Sequence, residues 1–267
     1  MNRRTFLAAA AAGAVAPRVS FASARTDRRL VLLVLRGGLD GLAAAPPVGD
    51  PALASLRAPI PGAIPLDGTF ALHPGLASLA DRWAARELVL VHATAVPYRD
   101  RSHFDAQDVL ENGTERPLGA STGWLNRALA ARGDGAGLAL GAGLPLVLRG
   151  PSDASSIDAD RLPRTDPALL ASIRAVTGAD PLFGRALERG LATAATFREV
   201  APELSGAERL GRVLAADGGP AVVVVDQGGF DTHTAQERTL AARLPELAET
   251  IDGLRRGLGE AWSRTVV

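Results

Sequence analysis

Leu30-Val-Leu-Leu-Val-Leu35, preceded by Arg28-Arg29 and followed by Arg36-Gly-Gly-Leu-Asp40-Gly41, is the stretch that decides the fold. An unbroken apolar run between charges and a glycine pair reads as a strand buried on both faces, because a half-exposed strand alternates apolar and polar residues. Ala221-Val-Val-Val-Val225 repeats the pattern and is expected to stop at Asp226 before Gly228-Gly229. Between and after these runs the periodicity turns helical. His73-Pro74 opens a helix with Leu76, Leu79, Ala80 and Trp83 on one face, and further helices are expected through Ala106–Leu110 and Trp124–Ala131. Asp166-Pro167 and Asp180-Pro181 each place a capping acid ahead of a proline at the first helical position. Leu244, Leu247, Ala248, Ile251, Leu254, Leu258 and Trp262 recur at helical spacing.

Three further apolar runs read as strands: Leu88–Val91, Leu144–Leu148 and the opening of one at Arg264–Val267. The proline-rich segment from Pro46 to Pro65 reads as an irregular loop, and about 151–219 as a mainly helical insertion or layer. Strands alternating with helices give an α/β domain with a largely parallel sheet flanked by helices. The length of 267 residues suits one large core, and no net charge with 47% hydrophobic residues excludes disorder. Balanced charge also argues against nucleic acid as the partner. There is no cysteine, so thiolate metal sites, disulfides and thiol nucleophiles are excluded. Every basic residue is arginine, which excludes Schiff-base and P-loop lysines.

The first 24 residues read as an export signal and residues 25–267 as one domain. Arg3 and Arg4 precede an apolar stretch from Phe6 to Ala16 and a small-residue end at Ala22-Ser-Ala24. That stretch is shorter than the ~20 residues a bilayer span takes. Arg3-Arg-Thr-Phe-Leu7 resembles a twin-arginine signal, which implies a periplasmic or exported protein with no membrane span in the mature chain.

In open parallel sheets, ligands sit outside the carboxyl ends of the strands, and polar chemistry gathers just past three of the expected strands. At the first, Asp40 offers a hard oxygen ligand beside a glycine pair, or else a capping aspartate at a tight turn. The spacing there is not the G-x-G-x-x-G of a dinucleotide fold, which disfavours a nicotinamide-dependent oxidoreductase. The second is Tyr98-Arg99-Asp100-Arg101-Ser102-His103-Phe104-Asp105-Ala106-Gln107-Asp108. Ser102 at a helix start suits a nucleophile whose developing anion faces backbone N–H groups, with His103 beside it, and Arg99 and Arg101 suit a phosphate or sulfate. The plainer reading makes Ser102 the helix cap. The third, Asp226-Gln-Gly-Gly-Phe-Asp231-Thr-His233, sets two carboxylates and an imidazole around a glycine turn, which suits a divalent metal such as zinc or manganese. His233 capping the next helix is the alternative there. His73 and His92 read as structural.

Arg36-Gly-Gly-Leu-Asp-Gly-Leu42, Gly49-Asp-Pro51, Phe70-Ala-Leu-His-Pro74, Arg101-Ser-His-Phe-Asp-Ala-Gln-Asp108, Gly123-Trp-Leu-Asn126 and Gly228-Gly-Phe-Asp-Thr-His233, in this order, resemble the bacterial domain-of-unknown-function 1501 family. The resemblance implies an alkaline-phosphatase-like (sulfatase-like) fold with a two-metal site at the sheet edge. On it, Asp40 matches the metal-bridging aspartate, Asp231 and His233 match ligands after a later strand, and Ser102 stands at the nucleophile position. Relatives continue into a Glu-Phe-Gly-Arg type segment and an Asp-His pair, so the resemblance implies a domain incomplete at its C-terminus. The function it suggests is a metal-dependent hydrolase of small phosphate or sulfate esters. The alternative is a non-catalytic exported binding protein on the same fold.

Overall fold

The valines of the second run alternate between two cores. Val222 and Val224 pack with Leu125, Leu129, Val147 and Leu148, whereas Val223 and Val225 pack with Phe197, Leu210, Leu214 and Leu254. All four are buried, and removing each such side chain from water contributes about 2 kcal/mol. This strand is therefore interior and covered on both faces, as an all-parallel sheet requires.

The computed structural model describes residues 27–133, 136–141, 143–158, 166–200, 203–204 and 206–267. The expected signal segment lies outside the described residues. In chain order the strands are β1 (Arg29–Leu35), β2 (Ile64–Pro65), β3 (Ala71–Leu72), β4 (Gly137–Leu140), β5 (Ala154–Ile157), β6 (Val222–Gln227) and β7 (Thr265–Val266). The α-helices are α1 (Gly41–Ala44), α2 (Leu53–Leu56), α3 (Ala80–Ala84), α4 (His103–Asn112), α5 (Trp124–Arg132), α6 (Pro167–Thr177), α7 (Pro181–Glu199), α8 (Gly206–Ala215) and α9 (Gln236–Leu258). Short 3-10 turns cover Pro74–Leu79, Leu146–Leu148 and Gly259–Arg264.

The main sheet runs β5-β4-β6-β1-β7, every pair parallel, with Leu30 opposite Val222 and Leu35 opposite Gln227. The chain is thus α/β, a five-stranded parallel sheet flanked by helices. β1 leads across β6 to β4 and β6 leads across β1 to β7, so the connections leaving these two neighbours run in opposite directions. Such a reversal places a crevice at their carboxyl ends. β2 and β3 form a small antiparallel pair.

Several sequence expectations hold in detail. The carboxylate of Asp166 accepts from Ala168 N at 2.8 Å, and that of Asp180 accepts from Leu182 N at 2.8 Å and Phe183 N at 3.2 Å, capping α6 and α7. Leu244, Leu247, Ala248, Leu254 and Leu258 form the buried face of α9. The strand expected at the end of the chain is β7.

Four expectations are corrected. Leu88–Val91 is not a buried strand: it pairs with no strand, Leu88 and Leu90 rest on the core below β1, and Val89 and Val91 are 78% and 69% exposed. Leu144–Leu148 is not a strand either. Leu146–Leu148 turns as a 3-10 helix behind Pro145 and drives Val147 and Leu148 into the core. Short apolar runs satisfy both periods equally, and only the tertiary partner decides between them. Finally, β6 does not stop at Asp226 but runs to Gln227, and β5 lies inside the segment expected to be mainly helical. Among the described residues, no helix is long and apolar enough to cross a membrane.

Candidate metal centre

The crevice is floored by the residues that leave β1 and β6. Gly37 takes φ +106°, and a β-carbon on it would lie 2.2 Å from Asp231 N and 2.6 Å from Asp231 Cβ. Only glycine lets the two loops cross this closely. Phe230 N donates to Arg36 O at 3.1 Å, and the Phe230 ring is fully buried below. This plug holds Asp231 and His233 at the rim.

The third contributor is α4. Ser102 caps it, its Oγ accepting from Asp105 N at 3.3 Å, and Gly113 in the left-handed region ends it. His103, Gln107 and Glu111 recur at four-residue spacing and so share one face of the helix. That face lines a cavity of about 290 Å³ against β1, together with Leu35, Val96, Leu110, Trp124 and Val147.

His103, Asp231 and His233 meet at its mouth, where one ligand atom from each lies within 4.8 Å of the others. Asp231 stands between the imidazoles, with His233 Nε2 2.9 Å from Oδ1 and His103 Nε2 3.5 Å from Oδ2. The His233 side chain is 78% exposed, and besides this contact its ring stands edge-on to that of His103, with centroids 6.3 Å apart. Two imidazoles and one carboxylate with open solvent beyond them suit one divalent cation with coordination positions to spare.

The two other expected carboxylate ligands are each engaged by protein groups. Asp226 takes the fork of Arg36, with Nε and Nη2 2.9–3.1 Å from its oxygens. Asp40 caps α1, its Oδ1 accepting from Leu42 N and Ala43 N, while Oδ2 accepts from Arg57 Nη1 and Gln236 Nε2, both at 2.7 Å. Burial pushes the Asp40 carboxyl up, but the bonds from Arg57 and Gln236 outweigh it and hold the group below the ordinary aspartate range. The residues therefore suit a single cation rather than a pair bridged by Asp40.

Ser102, the expected nucleophile, is the N-cap of α4. Arg99 and Arg101 are exposed on the approach to α4, and neither has an ion-pair partner among the described residues. His73 Nδ1 accepts from Gly75 N at 3.0 Å, and His92 stacks on Phe70 at 5.1 Å.

Sequence reasoning passed over the residue that organises the crevice. Besides Asp226, Arg36 binds Gln107 Oε1 through Nη1 at 3.3 Å and forms a short ion pair with Glu111. Glu111 is 5% exposed, and its second oxygen accepts from Val147 N at 3.0 Å. Burial lowers the Arg36 pKa, but the two carboxylates outweigh this and raise it. The signal lay in the polar stripe at 103, 107 and 111, four residues apart on one face of α4.

Arg36 also sets the tautomer of His103. Because Gln107 Oε1 faces Arg36, its amide nitrogen faces His103 Nδ1 at 3.4 Å. An amide nitrogen can only donate, so Nδ1 accepts and the proton of the neutral ring sits on Nε2, toward Asp231. A cation at Nε2 needs the other tautomer, and with it a rotated Gln107.

No relative was found. Neither a protein-family model, nor a curated protein, nor a solved structure matches this chain. The crevice is therefore read on its own geometry.

Proposed function

We propose that the chain is an exported, alkaline-phosphatase-like hydrolase that uses one divalent cation, held by His103, Asp231 and His233, to cleave small phosphate or sulfate esters. The observation that carries this reading is the convergence of the three ligand groups from two distant segments at the switch point of a parallel sheet. The resemblance to the family with the twin-arginine signal supports the export route. A cation there supplies Lewis-acid polarisation of the ester and lowers the pKa of a water ligand to near neutrality. Arg99 and Arg101 neutralise the anionic ester on approach. Asp231 is the third ligand between the two imidazoles, and the apolar wall of the adjacent cavity takes the organic part of the ester. Ser102, its oxygen already accepting from the helix N-terminus, leaves the attack to water.

Elemental analysis and zinc titration of the purified chain test this reading, alongside turnover of aryl phosphates and sulfates. One cation per chain, lost in an Asp231→Ala/His233→Ala variant together with turnover, is expected. Absence of both binding and turnover overturns it. The engagement of Asp40, Asp226 and Ser102 in structural roles favours a second reading, a non-catalytic exported binding protein on the same fold. A stoichiometric protein partner captured by a metal-free chain selects that one.

A further inference from the structure

On the far side of α1 lies a second cavity, of about 580 Å³, walled by the loop from Leu56 to Pro61, the His73-Pro74-Gly75 turn and the first turns of α9. This volume falls within the roughly 300–1,000 Å³ of small-molecule sites. Its floor is apolar, made by Ala43, Ile60 and Leu240, with Leu56 exposed at the rim. Its polar groups are mainly donors. Arg57 uses only Nη1, on Asp40, and its other N–H groups have no partner among the described residues. His73 accepts through Nδ1, so its neutral ring carries the proton on Nε2, which also has no partner there. The Gln236 amide is consumed on both sides, by Asp40 and Thr232, and Glu237 stands exposed at the rim.

We infer that this cavity binds a small carboxylate with an apolar body, its carboxylate meeting Arg57 and the His73 Nε2–H and its body lying on Ile60 and Leu240. Arg57 already forms one half of a charge-assisted contact and has a second edge to give. Burial holds the His73 imidazole neutral, so it serves as a directional donor rather than a second cation.

The site connects to the metal-ligand loop through three hydrogen bonds. Arg57 Nη1 and Gln236 Nε2 both donate to Asp40 Oδ2 at 2.7 Å, and Thr232 Oγ1 donates to Gln236 Oε1 at 2.9 Å. Thr232 is the residue between Asp231 and His233. A carboxylate that draws Arg57 from Asp40 loosens this chain and with it the grip on the loop. This coupling rests on the metal reading above, whereas the binding site itself does not.

The probe is 4-phenylbutyrate, titrated calorimetrically into the full chain with and without zinc. Saturable binding, one per chain, is expected. It weakens about tenfold in Arg57→Gln, as for loss of one hydrogen bond to a charged group. It is abolished in Ala241→Trp, which fills the cavity from an exposed position of α9. The alcohol 4-phenylbutanol binds about tenfold more weakly than the acid. Absence of saturable binding, binding indifferent to both Arg57→Gln and Ala241→Trp, or equal affinity for the alcohol overturns the site. Binding that obeys these controls while zinc is not taken up leaves the site standing and removes only the coupling and the metal reading. Where zinc is bound, an unchanged zinc affinity at saturating probe overturns the coupling.

Discussion

The amide nitrogen of Gln107 stands 3.4 Å from His103 Nδ1, an arrangement that favours the neutral tautomer protonated on Nε2. A carboxylate at position 107 accepts a proton from Nδ1 and leaves Nε2 free as a ligand. Outer partners of this kind change metal affinity by roughly 10–100-fold. Gln107→Glu is therefore expected to tighten zinc binding about tenfold. Competition with a chromophoric chelator measures it, and a weaker or unchanged affinity would show that His103 does not bind through Nε2.

Arg36 is the sole cation found against both Glu111 and Asp226. Arg36→Met keeps the apolar stem but leaves Glu111 buried without a counter-charge. The Arg36 side chain is itself 26% exposed, so the loss is expected at the low end for a broken buried pair, about 3 kcal/mol. Urea denaturation at pH 7 gives the value. Glu111→Gln, which removes the charge and keeps the shape, is expected to cost less.

Gly37 and Gly38 separate strain from collision. Both have positive φ, but a β-carbon at Gly38 meets nothing within 4 Å, whereas at Gly37 it strikes the backbone of Asp231. Gly38→Ala is expected to cost about 1 kcal/mol, from the dihedral alone. Gly37→Ala must also displace the Asp231 loop and is expected to cost clearly more and to weaken cation uptake. Equal losses in thermal melts of the two variants would refute the close crossing.

His73 gives a pH signature. Burial lowers its folded-state pKa below the ordinary 6.5, so the unfolded chain binds more protons in that window. The contribution of this group is thus fully present above pH 6.5 and is lost as pH falls toward the folded value. His73→Asn keeps a capping side chain but does not titrate. Its stability is expected to change less than wild type between pH 7.5 and about pH 5, as denaturation curves at each pH would show.

The two long valine and leucine runs were legible because a strand buried on both faces has a sequence unlike any amphipathic element. The caps at Asp166 and Asp180 were legible because their chemistry is local. Leu88–Val91 and Leu144–Leu148 were not, since four or five apolar residues carry no period and Pro145 alone hinted at a turn. Asp231, His233 and His103 could be picked out by residue type and by position after strands. Their convergence could not, because it depends on how β1 and β6 pair. The partners of Asp40 and Asp226 were hidden for the same reason: Arg57, Gln236 and Arg36 meet them only in the fold.

His103 and Asp231 come from opposite ends of the sheet's construction, one after β1 and the other after β6, so the group they form has no counterpart in the unfolded chain. Any ion that prefers it binds the native state alone and adds RT ln(1 + [L]/Kd) to the unfolding free energy, about 2.7 kcal/mol at a hundredfold excess over Kd. The melting temperature of this protein would then report its metal supply.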